Sequence, residues 1–166
     1  YLGDNRYPGS KPDDENTMSA LDIAIIADHL IKDYPQVLEI TKQTEVDFEG
    51  DNKLTTHNYM LEGQENYREG VDGLKTGTTE LAGASFVAHS NENGMSLITV
   101  VMNAYNGGDD ESARFTATNE LLDYVTQNWK IKTLNTKGQI IKKNDIKVAD
   151  GDSQTISAKL ESDLTV

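Results

Sequence analysis

Lys75, Thr76 and Gly77 stand in one run, with Thr78 beside them. Each residue type has a chemical use. A lysine brings a compact positive charge that holds an anionic group. A threonine hydroxyl bonds a peptide, and a glycine lets another backbone come close. The N–H just after the triplet can serve an oxyanion hole. Such an edge would suit an anionic peptide and acyl transfer to a nucleophile. The bare triplet is a weak signal, because three residues recur by chance and a strand running into a turn reads the same.

Other chemistries are poorly supported. "GVDGLKT" comes near a phosphate-binding loop, but Leu74 stands where that loop has glycine, and the next residues read as strand rather than helix. There is no G-x-S-x-G elbow and no H-E-x-x-H pair. The histidines are His29, His57 and His89. His29 reads as a helix-surface residue and His89 as a structural residue at a strand end; nothing points to a Ser-His-Asp triad. Cysteine is absent, which removes disulfides, zinc–thiolate sites and cysteine nucleophiles. No cofactor or metal is implied. "DGDSQTISAKLE" comes near a calcium loop but lacks its central glycine. The chain holds 28 acidic and 15 basic residues, net −13, a balance that repels a phosphate backbone and argues against nucleic acid. No apolar run reaches transmembrane length, and no signal peptide precedes Tyr1.

Several elements must position the triplet. Residues 1–16 are polar, with two prolines and two glycines, and read as loop. Ser19 followed by Asp22 predicts a capping box opening a helix whose apolar face carries Leu21, Ile25, Leu30 and Ile31. Pro35 ends it and leads to a short second helix through Val37, Leu38 and Ile40. "TEVDF" alternates as a strand, "EGDN" turns, and residues 53–70 read as a short strand and then loop. Residues 71–75 form a strand candidate. "ASFVAHS" and "MSLITVVMN" flank "NENG" as a hairpin with a turn of about four residues, the second arm buried on both faces. After "GGDD", the residues Ala113, Ala117, Leu121, Leu122, Val125 and Trp129 fall at helical spacing.

From Lys130 the pattern shortens to "KIKTL", "QIIKK", "IKVAD" and "QTISAKL", a β reading with turns at Lys137-Gly138 and Asp150-Gly151. The charge changes there too. Residues 1–129 hold 8 basic and 23 acidic residues, whereas residues 130–166 hold 7 and 5. Both shifts place a domain boundary near Trp129.

In its wider setting the triplet becomes specific. "VDGLKTGTTELAGASFVAHSNENGMSLITVVMNA" closely resembles the third motif region of the serine D-alanyl-D-alanine carboxypeptidases, the low-molecular-mass penicillin-binding proteins. That family has a strand with D-G-[LI]-K-T-G, then A-G, an apolar strand, a glycine turn and a second apolar strand. Asp72, Gly73, Lys75, Thr76, Gly77, Ala82, Gly83 and Gly94 fall into that pattern. "NTMSALDIAIIADHLIKDYP" is similar to the family's helix after a proline-containing loop, "THNYML" to its segment before the motif, and "ARFTATNELLDYV" to its last domain helix.

The resemblance implies an α+β fold. Residues 1–129 would be the C-terminal part of a β-lactamase/transpeptidase-like domain, an antiparallel sheet with packed helices. Residues 130–166 would begin a β-rich domain. It also implies roles. Lys75, Thr76 and Gly77 would be catalytic, with Lys75 stabilising the substrate carboxylate and the charge that develops in acyl transfer. Thr78 would contact the peptide and lend its N–H to the oxyanion hole. Arg114 would grip the terminal carboxylate through two parallel bonds, and His57 would stand on the cleft wall. Asp72 would brace the strand.

The implied partners are a peptidoglycan stem peptide ending in D-Ala-D-Ala and β-lactam antibiotics, on the cell-wall side of the membrane. Membrane contact would come only through a C-terminal anchor absent from these residues. The family's other motifs, S-x-x-K and S-x-N, are missing here; Ser157-Ala158-Lys159 is one residue short. The expectation is therefore an inactive piece of such an enzyme, with the nucleophilic serine elsewhere. A β-lactamase of the same fold and a non-catalytic cell-wall-binding module stay open beside it.

Overall fold

Ser19 opens the first helix with both bonds of the expected capping box. Its hydroxyl accepts from the Asp22 N–H at 3.1 Å, and the Asp22 carboxylate accepts from the Ser19 N–H at 2.9 Å. Helix α1 runs over Ala20–Asp33 and the short α2 over Val37–Thr41. The structure, a computed structural model, describes residues 17–104, 110–140, 146, 147, 149 and 155–166. The loop expected at residues 1–16, most of "GGDD", the last three residues of "QIIKK", the Asp150-Gly151 turn and residues 150–154 of the calcium-loop-like stretch lie outside the described residues.

By its contacts the chain divides into two units, Tyr1–Asn128 and Trp129–Val166. In the first, β1 (Glu45–Phe48) and β2 (Asn52–Thr55) form an exposed hairpin. Strands β3 (Val71–Thr79), β4 (Gly83–Glu92) and β5 (Met95–Val101) form an antiparallel sheet in chain order. Helix α3 (Ala113–Asn128) packs on β4 and β5, α1 on β5, and α2 on β3. In the second unit β6 (Thr133–Asn135) pairs with β9 (Leu164–Thr165), and β7 (Ile146–Lys147) with β8 (Thr155–Ile156), all antiparallel. Gly138 turns the chain there with φ +79°.

The core of the first unit joins Met60, Leu61, Val71, Phe86, Ala88, Phe115 and Leu122. Phe86 meets Phe115 edge to face, with ring centroids 5.4 Å apart, and so seats α3 on the sheet. Gly73 is a point of close approach. A Cβ there would lie 2.8 Å from Thr41 Oγ1, the hydroxyl that donates to the Asp72 carbonyl at 2.8 Å. Glycine at 73 therefore lets α2 sit against β3.

Four expectations need correction. The triplet's strand is nine residues long, not five, because β4 pairs with it from Val71↔Ser90 to Thr79↔Gly83. The turn between β4 and β5 has two residues rather than about four. Glu92 pairs with Met95, and Asn93 and Gly94 both take positive φ, +52° and +78°, as a tight hairpin turn needs. Strand β5 is not buried on both faces: only Thr99 and Val101 are buried, and Ser96 is exposed. In α3 the buried positions are Ala113, Arg114, Phe115, Thr118 and Leu122, while Leu121 is about half exposed and Trp129 lies beyond the helix end. On α1 the apolar face meets little of the described protein. Only Ala27 is buried, and Leu21 is 68% exposed.

Candidate active site

Strand β3 carries Lys75, Thr76, Gly77 and Thr78 along one wall of a cleft of about 500 Å³. The opposite wall comes from the entry to α3, with Glu111, Ser112, Arg114 and Phe115, and from the loop after β2, with His57, Tyr59, Glu65 and Asn66. All six residues singled out from the sequence, Lys75, Thr76, Gly77, Thr78, Arg114 and His57, therefore line one cavity. The sequence does not assign Glu65, Glu111, Tyr59 or Phe115 to the site, although Glu111 reads as an acidic residue suited to the N-terminal end of the helix. Glu111 had a readable signal, since it lies three residues before Arg114, the spacing of a helical ion pair.

The strand holds these groups in register. Thr76 stands opposite Phe86, and Phe86 opposite Val101, so this row shares one face of the sheet and Thr76 is buried. Lys75 is exposed, and its ammonium turns back onto the Thr76 carbonyl. No ion pair to Lys75 is present among the described residues. Its charge is thus available at the wall.

Arg114 is 3% exposed, not a helix-surface arginine. Nη1 donates to the carbonyls of Gly77 at 3.1 Å and Ser85 at 3.2 Å. Nη2 donates to Thr78 Oγ1 at 2.7 Å and Glu111 Oε2 at 2.5 Å, and Nε to the Glu111 carbonyl at 2.8 Å. One side chain thus fastens α3 to the end of β3. All five of its N–H groups have protein acceptors, so it does not present an empty fork.

The start of β3 is fixed from behind. His89 lies within β4 and is 2% exposed. Its Nδ1 is 2.5 Å from Asp72 Oδ1 and its Nε2 is 2.9 Å from Ser96 Oγ. Nothing in the sequence points to a serine, a histidine and an aspartate in contact, yet Ser96, His89 and Asp72 form such a chain. The irregular register between Val71 and Gly73, invisible in the sequence, belongs to this arrangement. Ser96 and His89 do not line the Lys75 cleft. The chain joins β3, β4 and β5 through side chains, and Asp72 is the brace.

A second clamp holds the loop before β3. Arg68 makes two parallel bonds to Glu92, at 2.8 and 2.7 Å, and a third at 2.6 Å to Asp123 of α3. The Arg68 hydrogen bonds hold the Glu92 carboxyl below its ordinary range, helped by the Ser90 hydroxyl, and Glu92 in turn raises Arg68. No group of three or more potential metal ligands occurs among the described residues, and none of their helices is long and apolar enough to cross a membrane.

Residues 9–106 match the family described as D-alanyl-D-alanine carboxypeptidase. The chain is 37% identical over 98 residues to the D-alanyl-D-alanine carboxypeptidase DacA of Escherichia coli, a match covering 58% of this chain and 23% of that protein. Its fold superposes on a peptidoglycan synthesis regulatory factor (PBP3) from Streptococcus pneumoniae with TM-score 0.90 and 48% identity, over 99% of this chain and 46% of the other. A penicillin-binding protein from Listeria monocytogenes in its ampicillin-bound form matches with TM-score 0.53 and 31% identity, over 61% of this chain and 39% of that one. The chain thus spans less than half the length of each of these relatives. The mixed arrangement of helices and antiparallel sheet is that of penicillin-binding, transpeptidase-like proteins.

Proposed function

The chain belongs to the D-alanyl-D-alanine carboxypeptidase family, and on that premise we propose that it forms the substrate-binding wall of a serine-type carboxypeptidase acting on peptidoglycan stem peptides. The observation that carries this reading is the juxtaposition of β3 and α3. Lys75 to Thr78 edge the same cleft that Arg114 enters from the other side. Lys75 supplies positive charge for the peptide's carboxylate and for charge that develops on the reacting carbonyl. Thr76 and Thr78 bond the peptide, and the Thr78 N–H serves the oxyanion hole.

The nucleophile is a serine in a part of the polypeptide other than these 166 residues, since neither S-x-x-K nor S-x-N occurs here. Its Oγ forms an ester with the penultimate D-alanine carbonyl as the bond to the last D-alanine breaks. The hydroxyl proton goes to the leaving amine, and water then hydrolyses the ester. Penicillins acylate the same serine. The site of action is on the cell-wall side of the membrane. Residues 130–166 begin a separate β-rich domain.

The test is mass spectrometry of the full-length polypeptide after penicillin treatment, alongside cleavage of a peptide ending in D-Ala-D-Ala. A stable adduct with release of D-alanine is the expected result. Rapid turnover of penicillin would mean a β-lactamase, and no adduct a binding module. These 166 residues alone should give no covalent band with a fluorescent penicillin.

A further inference from the structure

Three of the acceptors around Arg114 are main-chain carbonyls: that of Glu111 at the helix entry, and those of Gly77 and Ser85, which tie helix to sheet. The other two meet Nη2, and both belong to side chains on the cleft wall, Thr78 and Glu111. The Glu111 side chain is 61% exposed, whereas that of Arg114 is 3% exposed. Glu111 can therefore swing into water, while the guanidinium cannot move without breaking its carbonyl bonds. A ligand carboxylate entering the cleft needs the N–H that the Glu111 carboxylate now holds.

We propose that Glu111 is an internal competitor for the carboxylate subsite and hence a specificity-determining residue. An incoming peptide's terminal carboxylate exchanges with it at Nη2 of Arg114. Until then Glu111 keeps the buried guanidinium from standing uncompensated, a state that is costly in a protein interior. The exchange works against weak anions, because any ligand must replace an existing ion pair before it gains from Arg114. Ligands without a carboxylate leave the pair intact. This inference rests on the carboxypeptidase reading above and names the residue that tunes it.

The experiment measures kcat and KM of the full-length polypeptide for a peptide ending in D-Ala-D-Ala. The same peptide with an amidated C-terminus is measured as substrate or competitive inhibitor. Wild type, Glu111→Gln and Glu111→Ala are compared, the second variant removing every side-chain acceptor atom at that position. The expected result is a KM for the free acid lowered roughly two- to fivefold, the scale of one exposed ion pair. The value of kcat should stay within about twofold, and the amide should not respond. An unchanged or raised KM on the acid, or an equal shift on both peptides, would overturn the competitor role while leaving the carboxypeptidase reading standing. A wild type that does not cleave the acid peptide would overturn both.

Discussion

The hydroxyl of Thr78 accepts a hydrogen bond from Nη2 of Arg114 at 2.7 Å, so the end of the triplet strand and the first turn of α3 act as one unit. Arg114→Lys keeps the charge but cannot reach five acceptors at once. We expect it to lower the stability of the full-length polypeptide to urea by about 1–3 kcal/mol, because the Gly77 and Ser85 carbonyls lose the donor that the buried guanidinium gives them. Arg114→Leu should cut kcat/KM on a free-acid peptide by roughly ten- to a hundredfold, and on the amidated peptide by much less. Equal losses on both would reduce Arg114 to a structural fastener.

Lys75 has a different signature. Its side chain is exposed and bonds only its neighbour's carbonyl among the contacts described. Lys75→Ala should therefore leave the unfolding curve nearly unmoved yet slow acylation by penicillin, by about 2–4 kcal/mol of barrier. Stopped-flow acylation rates on the full-length polypeptide check this, and an unchanged rate would remove Lys75 from the site.

The Ser96–His89–Asp72 chain has the connectivity of a hydrolase triad but stands outside the Lys75 cleft. Ser96→Ala is expected to leave peptide turnover and the penicillin adduct unchanged. His89→Leu strips Asp72 of a partner and should cost about 1–3 kcal/mol of stability. A loss of the adduct in Ser96→Ala would make Ser96 the nucleophile and refute the structural assignment.

Acid should weaken the clamp at Glu92. Its folded-state carboxyl is held below the ordinary value, chiefly by the Arg68 hydrogen bonds. The unfolded chain then binds the proton first, at about pH 4–4.5. The stabilisation is full above that range and is lost as pH falls through the lower, folded value. Urea titrations across this range should show wild type losing more stability than Glu92→Gln, with parallel curves near neutrality. Parallel curves at every pH would mean that the pair contributes nothing pH-dependent.

Much of this architecture is legible in the residues. The capping box at Ser19 is a local pattern with a local mechanism, and the β4–β5 hairpin follows from two apolar runs around a glycine. The triplet's place on a cleft wall was readable only through its longer setting, since composition cannot say what faces a strand. What escaped notice depends on contacts remote in sequence. Phe115 and Thr118 are buried because α3 turns that side to Phe86, and helical spacing alone did not separate them from Leu121. His89 looked like a strand end because its partners, Asp72 and Ser96, come from two neighbouring strands. The α1 face illustrates the converse: its apolar spacing was read correctly, yet spacing does not say which side is covered.

The order of the strands has a consequence for how the wall comes into being during synthesis. Strands β3, β4 and β5 follow one another with only residues 80–82 and then Asn93 and Gly94 between them. Each pairing closes a short loop, which costs little chain entropy and is fast beside translation. Lys75 therefore has a paired strand beneath it as soon as the next stretch of chain has left the ribosome. Arg114 arrives afterwards and docks onto an edge already laid down, rather than searching for one across the whole polypeptide.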